Sequence, residues 1–308
     1  MASKGRRSLR KKRENRQFYL FISPFLIGFS VFTLVPMLVS LYFSFHKISL
    51  LTFVDGTYTF YGIKNFINIF ADNDYFLYAI RNTFVFAFVR NVFCVAIALG
   101  LAVFFNRRMP FKKFFRTLIY IPGVLPIVGA AIIWRQLFDG RSSIISWLLD
   151  MIGIHVEASW WLGNGGLISA IIMSVIMGIG QNMTMFLAAL QGVPENQIEA
   201  AKLDGAGSAA RFFKIVMPNI SPTAFYVVLT GFISSLQAYA EVELLVGSLS
   251  KNSVTMSYLV MDYYKQGMIG LGYSSALAWM LCLITAIFSF FVFRYSKKMV
   301  FFADGDQL

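Results

Sequence analysis

Six long apolar segments constrain the fold of this chain more than any other feature of its sequence. A helix needs about 20 apolar residues to cross the hydrocarbon core of a bilayer, and it satisfies its own backbone hydrogen bonds there. A transmembrane β-barrel would instead show strands of about ten residues with alternating polarity. The sequence therefore predicts an all-α, polytopic integral membrane protein with about six transmembrane helices. The segments are residues 18–45, 83–105, 118–137, 167–190, 223–245 and 275–293.

The composition also favours a membrane environment. Hydrophobic residues make up 57% of the 308-residue chain and charged residues only 14%, whereas a soluble domain carries about 25% charged residues. The net charge of +12 is confined to loops and tails, so it does not form the folded basic face typical of nucleic-acid binding. We expect one membrane domain over residues 18–293, a basic cytoplasmic tail over 1–17, a cytoplasmic tail over 294–308 and no nucleic-acid partner.

Two of the apolar segments contain proline pairs. The first segment is too long for the apolar core of a cleaved signal peptide, so we interpret it as a retained helix. Proline removes a hydrogen bond to the preceding turn and kinks a helix. We therefore expect Pro24 and Pro36 to kink the first helix, and Pro122 and Pro126 to kink the third.

The distribution of basic residues predicts the orientation. Of the 27 lysines and arginines, 19 lie in the two tails and in the loops after the second and fourth segments. Seven lie in the opposite loops, and Arg90 lies within a segment. Basic loops stay on the cytoplasmic side, so both termini are predicted to be cytoplasmic. The tail at 1–17 is expected to contact membrane lipids. The exterior loops 46–82 and 138–166 are predicted to form short interfacial helices or a platform for an external partner.

The chain shows no pattern typical of an enzyme. It has no G-x-x-x-x-G-K-[ST] phosphate-binding loop, so ATP chemistry is not expected on this subunit. His46 and His155 stand alone, and Cys94 and Cys282 lack the spacing of a metal or disulfide motif. The sequence therefore predicts a non-catalytic chain with no metal and no cofactor of its own.

The loop between the fourth and fifth apolar segments is polar, helix-forming and interrupted by glycine. Pro194 suits the first turn of a helix, and Glu195 and Glu199 lie near the positive end of its dipole. Gly205 suits the left-handed residue that ends a helix. The loop is therefore expected to begin with a short helix at the membrane surface.

A second short helix is expected directly after this turn. Ser208 is placed to cap a helix over residues 209–217, which would stop before Pro218. The loop as a whole, residues 193–218, therefore predicts a helix–turn–helix that leads into the fifth span.

These residues carry a resemblance to a known family. The loop contains the motif Glu199-Ala200-Ala201-x-x-Asp204-Gly205-Ala206, followed by Phe212-x-x-Ile215-x-x-Pro218-x-x-x-Pro222, and it resembles the signature loop of ABC-importer permeases. The wider chain is similar to the sugar-importer branch, typified by the maltose and glycerol-3-phosphate permeases. That similarity rests on Arg81-Asn82-Thr83, on Arg116-Thr117-Leu118-Ile119-Tyr120-Ile121-Pro122 and on Trp134-x-x-Leu137-Phe138.

The resemblance implies a binding-protein-dependent importer in the cytoplasmic membrane of a prokaryote. It implies a heterodimer with a second, related permease, two copies of a cytoplasmic ABC ATPase that hold ATP and Mg, and an extracytoplasmic solute-binding protein. It also implies that Glu199 contacts the ATPase and that Gly205 sets the bend of the loop. The implied ATPase-coupling residues are Glu199, Ala200, Ala201, Asp204, Gly205 and Ala206.

Polar residues within the fourth and fifth segments are candidates for the solute pathway, because polar groups inside a span are costly and often functional. Packing between helices is the equally weighted alternative. By the resemblance, some of them fall where maltose-type permeases have a sugar-contacting wall, but Ser234 and Ser235 replace an aromatic and an amide, which leaves the solute open. The candidates are Gly178, Gln181, Asn182, Ser234, Ser235, Gln237 and Tyr239.

Arg90 is an isolated charge within the second segment, whereas Glu241 and Glu243 lie near the exterior end of the fifth. We expect Arg90 to pair with one of the two glutamates and to close an outer gate. The alternative is that Arg90 extends to the interface without a partner.

Two other functional classes remain open at this level. An ion-coupled secondary transporter would place acidic residues near the midplane and show repeated halves. A non-transporting membrane scaffold would show no solute-dependent stimulation of a partner ATPase.

Overall fold

The computed structural model describes residues 18–71, 74–107, 109–139, 143–247, 249–266 and 270–296. The predicted tail 1–17, and residues 297–308 of the predicted C-terminal tail, lie outside these ranges. Within the described residues the structure is helical apart from one two-stranded sheet. The elements are α1 (Phe18–Ser44), β1 (His46–Lys47), α2 (Leu50–Val54), β2 (Thr59–Phe60), α3 (Lys64–Ala71), α4 (Phe76–Asn106), α5 (Lys112–Val124), α6 (Ile127–Phe138), α7 (Ile144–Asp150), α8 (Ala158–Leu162), α9 (Gly166–Gln191), α10 (Glu195–Leu203), α11 (Ser208–Leu236), α12 (Ala240–Val246), α13 (Met256–Lys265) and α14 (Gly270–Ser296).

Five of the described helices are long and apolar enough to cross a membrane, namely α1, α4, α9, α11 and α14. The pair α5 and α6 would make a sixth span if the two were counted together. This confirms the prediction of an all-α, polytopic membrane protein. The chain divides into two compact units, one of Met1–Ile69 and Tyr263–Trp279, the other of Phe70–Asp262 and Met280–Leu308.

The third apolar segment is not the continuous helix that the sequence predicted. Helix α5 begins at Lys112 and α6 begins at Ile127, and the two helices meet at an angle of 101°. Leu125 and Pro126 both have extended backbone angles. Steric clash with the proline ring disfavours the helical region for the residue before it, and here Leu125 is extended. The proline therefore breaks the segment outright, which is a stronger effect than the expected kink.

Two prolines in long helices follow π-helical turns. In α1 the π turn covers Ser30–Leu34 and precedes Pro36, whereas Pro24 lies in regular helix. In α11 the π turn covers Phe212–Val216 and precedes Pro218. Such turns close one residue wider than an α-turn and accompany bends in helices.

The π turn in α11 overturns the expectation that a short helix would stop before Pro218. The helix that starts at Ser208 runs through the proline without a break and continues as the fifth span. The wide turn is closed by a hydrogen bond from Met217 N to Phe212 O, so the chain remains helical up to the residue before the proline.

The fifth span also ends earlier than predicted. Helix α11 ends at Leu236, and α12 starts a new helix at Ala240. The freed carbonyl of Ala238 accepts a hydrogen bond of 2.9 Å from Thr255 Oγ1. A backbone group released at membrane depth needs such an internal partner, and this one is more than a dozen residues away in sequence.

The first unit contains the hairpin β1–β2, with His46 opposite Phe60. Ser49 caps α2 in a capping box with Thr52. The buried amide of Asn65 donates to the carbonyls of Ser44 at 2.8 Å and His46 at 2.9 Å. These bonds give the loop after α1 a defined fold, which the sequence alone did not provide.

The second unit is built on the close approach of α4, α5, α9 and α11. A β-carbon placed on Gly180 would lie 2.6 Å from Ile119 O, and one on Gly123 would lie 2.7 Å from Met177 O. Small residues allow helix backbones to touch in this way. Glycine therefore holds α5 directly against α9. A buried core of this unit comprises Ala98, Ala102, Phe105, Met183, Phe186, Leu187, Leu190, Ile220 and Val227.

Candidate coupling loop and membrane cavity

The surface loop of residues 193–218 begins with α10, a helix of nine residues. Pro194 is its extended N-cap residue and not part of the first turn, one position earlier than predicted. Gly205 has φ +77°, which confirms the predicted left-handed conformation at the end of the helix. Ala206 N donates to Ala201 O at 2.9 Å and closes the turn.

Helix α10 presents its residues to the outside. All nine of its residues are described, and none is buried. Of the predicted coupling residues, Glu199, Ala200, Asp204 and Gly205 are exposed, and Ala201 and Ala206 are half-buried. The structure therefore brings the six together on one short exposed segment.

Leu203 is a feature of this segment that the sequence analysis missed. Its side chain is 90% exposed, whereas Ile198, the other large apolar residue of this helix, is half-buried. Single exposed apolar residues are common on protein surfaces, but this one lies among the predicted docking residues. An apolar residue within a polar motif was the signal that could have identified it.

Side chains tether the loop to the start of α11. Asn219 Nδ2 donates to Gln197 Oε1 at 3.0 Å and to Ile215 O at 2.8 Å. Arg211 donates to Ala206 O, and its Nη2 donates to Ser208 Oγ at 3.2 Å. Ser208 is the first residue of the helix and makes no capping bond, contrary to expectation. Helix α10 is thus bonded through a side chain to the helix that follows it.

The other end of α11 borders a polar cavity of about 570 Å³, the α11 cavity. Three of the predicted pathway residues, Ser234, Gln237 and Tyr239, line it. Glu241, predicted as a gate residue, lines the same cavity. Thr230 was not predicted and lies one helical turn before Ser234. The other residues that line the α11 cavity are Ile233, Ala238 and Ala240.

The remaining pathway candidates do not line this cavity. Ser235 is buried, and its hydroxyl donates to Gly231 O at 2.7 Å, so it packs within the helix. Asn182 Nδ2 donates to Cys94 Sγ at 3.3 Å, in the contact between α4 and α9. A β-carbon on Gly178 would lie 2.9 Å from the same sulfur. Gln181 is exposed on α9.

Arg90 lies in the middle of α4, next to α9. A β-carbon placed on Gly178 would lie 2.8 Å from Arg90 Nη2. Arg90 Nε is buried and has no hydrogen-bond partner among the described residues. Glu243 is half-buried on α12. The pairing of Arg90 with Glu241 or Glu243 stays a prediction.

Residues 94–299 match the family described as the binding-protein-dependent transport system inner membrane component. The chain belongs to this family. It is 30% identical to the probable ABC transporter permease protein YesP of Bacillus subtilis, over 99% of this chain and 98% of that protein. It is 28% identical to the arabinooligosaccharides transport system permease protein AraP of the same organism, over 90% and 88% of the two chains.

Solved structures support the fold. A permease chain from the crystal structure of a bacterial ABC transporter involved in the import of the acidic polysaccharide alginate superposes with a TM-score of 0.78. It is 19% identical, and the match covers 95% of this chain and 99% of that one.

Membership of this family confirms the resemblance drawn from the loop motif. The protein is a multi-pass permease component of a binding-protein-dependent ABC transport system. The family consists of transport components, which tells against an ion-coupled secondary transporter and a non-transporting scaffold. The roles of individual residues stay predictions.

Proposed function

We propose that this chain forms half of the translocation pathway for a sugar or an oligosaccharide, in a heterodimer with a second permease. The relatives point to this class of solute by name. They include the permeases for arabinooligosaccharides in Bacillus subtilis, for lactose in Rhizobium radiobacter and for sn-glycerol-3-phosphate in Yersinia pestis.

The proposed assembly has two cytoplasmic ATPase subunits, one on each permease, and an extracytoplasmic binding protein that delivers the solute. ATP and Mg would bind to the ATPases, and the permease itself would carry out no chemistry. Both termini and the 193–218 loop would face the cytoplasm of a prokaryotic cell, in line with the basic residues near them.

One observation carries the proposal: α11 connects the exposed helix α10 at one end with the α11 cavity at the other. Closure of the ATPases would move α10, and the bond between Gln197 and Asn219 would pass that movement to α11. The Ser234 end of α11 would then move at the cavity. Such coupling requires that the contacts of α10 differ between the two states of the transporter.

The cavity suits a sugar because it brings hydroxyl and amide groups together. In the part of the chain that the structure describes, the side chains of Ser234 and Gln237 are exposed and make no hydrogen bond. Sugar hydroxyls need such donors and acceptors, and small-molecule sites orient ligands with a few placed polar groups.

The proposal is tested by extraction of the chain in mild detergent and identification of the proteins that copurify. An ABC ATPase, a second permease and ATP hydrolysis stimulated by a sugar-loaded binding protein are expected. Uptake by the reconstituted chain alone, driven by an ion gradient, would contradict the proposal.

A further inference from the structure

Helix α5 borders a second cavity, the α5 cavity, of about 410 Å³. This volume lies within the range of about 300–1,000 Å³ typical of small-molecule sites. The cavity is lined by Lys113, Arg116, Thr117 and Tyr120 from α5 and by Thr184 from α9. None of these residues lines the α11 cavity or belongs to the 193–218 loop.

The wall formed by α5 is cationic and follows the helical repeat. Lys113 and Arg116 are three residues apart, and Tyr120 is four residues beyond Arg116, so all three lie on one face of the helix. Among the described residues that line the cavity there is no carboxylate. Within the described part of the chain, the side-chain nitrogens of Lys113 and Arg116 make no hydrogen bond and no ion pair.

The hydroxyl groups of the cavity divide into two kinds. Thr117 donates to Lys113 O at 3.0 Å, and Thr184 donates to Gly180 O at 3.0 Å, so both hydroxyls are committed to their own helices. The phenol of Tyr120 makes no hydrogen bond among the described residues. The donors directed at a ligand would therefore be an ammonium, a guanidinium and a phenol, and such a set suits a phosphate group.

The position of the cavity along α5 favours a lipid as the source of that phosphate. The basic residues of α5 all lie in its first five positions, Lys112 to Arg116, and an apolar stretch begins at Leu118. Phe111 is 78% exposed and Phe114 is 59% exposed at the same end. Aromatic and basic residues at the end of an apolar helix mark the level of the lipid headgroups.

We propose that the α5 cavity binds the phosphate of an anionic phospholipid, held by Lys113, Arg116 and Tyr120. The positive end of the α5 dipole adds to the attraction, because the cavity lies within the first turns of the helix. In the orientation proposed above, this lipid would belong to the cytoplasmic leaflet. The role is independent of the solute, so it neither requires nor supports the assignment of a sugar.

The test is binding of dioctanoyl-phosphatidylglycerol to the purified detergent-solubilised complex, read by native mass spectrometry. The variant Lys113→Gln/Arg116→Gln is expected to bind the lipid about 30-fold more weakly, since each basic residue near an anionic headgroup contributes about 1 kcal/mol. The control is Lys112→Gln, which removes one positive charge from the position next to Lys113 that does not line the cavity. Its affinity is expected to stay within about twofold of the wild type.

Three further binding measurements test the site with one more variant and two other ligands. Tyr120→Phe removes one donor without changing the charge, and about fivefold weaker binding is expected even if the double variant fails to assemble. Dioctanoylglycerol, which lacks the phosphate, should not bind at this site. If Lys112→Gln weakened lipid binding as much as the double variant does, the lipid would be held by diffuse surface charge, and the proposed site would be wrong. Inorganic phosphate that binds as tightly as the lipid would overturn the lipid assignment.

Discussion

The two ends of α11 differ in how their polar side chains are used. At the Ser208 end, Arg211 and Asn219 are bonded to the preceding loop. At the Leu236 end, Ser234 and Gln237 point into a cavity and make no bond within the described residues. A helix that is tied at one end and open at the other is suited to transmit movement from a docked partner to a ligand. The following predictions test this difference in order of decreasing effect.

Replacement of the exposed apolar residue at the tied end should have the largest effect. Leu203→Asp is expected to weaken association with the ATPase roughly 10- to 100-fold, since burial of a leucine contributes about 1.5–3 kcal/mol. Pull-down of the ATPase with the purified permease pair measures this. Leu203→Met keeps the volume and is the control. An Asp variant that retains full association would show that this surface is not the docking site.

At the open end, Gln237→Ala should raise the concentration of loaded binding protein for half-maximal transport roughly tenfold. The substitution would leave buried hydrogen-bonding groups of the solute unmatched, and each such loss costs about 1–3 kcal/mol. Uptake into proteoliposomes as a function of loaded binding protein provides the measurement. Ser235→Ala is the matched control, because that hydroxyl already donates to Gly231 O. Equal effects of the two substitutions would contradict the assignment of the cavity.

The turn after α10 offers a pair of glycines that differ only in backbone conformation. Gly205 has φ +77°, Gly207 has φ −64°, and a β-carbon on either would meet nothing within 4 Å. Gly205→Ala is expected to reduce ATPase association about fivefold, because a left-handed non-glycine residue costs about 1–2 kcal/mol. Gly207→Ala should leave the association unchanged. The same pull-down compares ATPase association in the two variants. Equal association of both would show that the left-handed turn at Gly205 is not required for docking.

Loss of the bond between the loop and α11 should have the smallest effect. Asn219→Ala is expected to leave the ATPase bound but to lower the solute transported per ATP hydrolysed by about two- to fivefold, as one exposed hydrogen bond is worth about 0.5–1 kcal/mol. Parallel assays of uptake and phosphate release in proteoliposomes give the ratio. The control is Asn196→Ala, whose side chain accepts a hydrogen bond from the adjacent Gln197 N and makes no other within the described ranges. An unchanged ratio in Asn219→Ala would exclude this route of coupling.

Local chemistry made much of the fold predictable. The long apolar segments and the left-handed Gly205 follow from hydrocarbon thickness and from the absence of a β-carbon, and both were confirmed. The end of α11 at Leu236 could not be predicted, because the apolar pattern continues beyond it and the break depends on Thr255 from a distant part of the chain.

The candidate site shows the same division between local and distant causes. Ser234 and Ser235 are adjacent and chemically identical, and only the packing of α11 decides which one faces the cavity. Leu203 was missed because its exposure is set by the folded structure. The hydrogen bond between Gln197 and Asn219 was missed because the two residues are more than 20 positions apart in the sequence.

The π turn at Phe212–Val216 has a consequence for how such permeases could diversify. A turn closed between residues five apart holds one residue more than an ordinary one, and each residue of an α-helix advances the azimuth by about 100°. Deletion of a single residue between Phe212 and Val216 would let this turn close as an ordinary α-turn, so the segments on its two sides would keep nearly the same relative azimuth. The helix could therefore gain or lose one residue at this turn while α10 and the Leu236 end of α11 keep their relative directions.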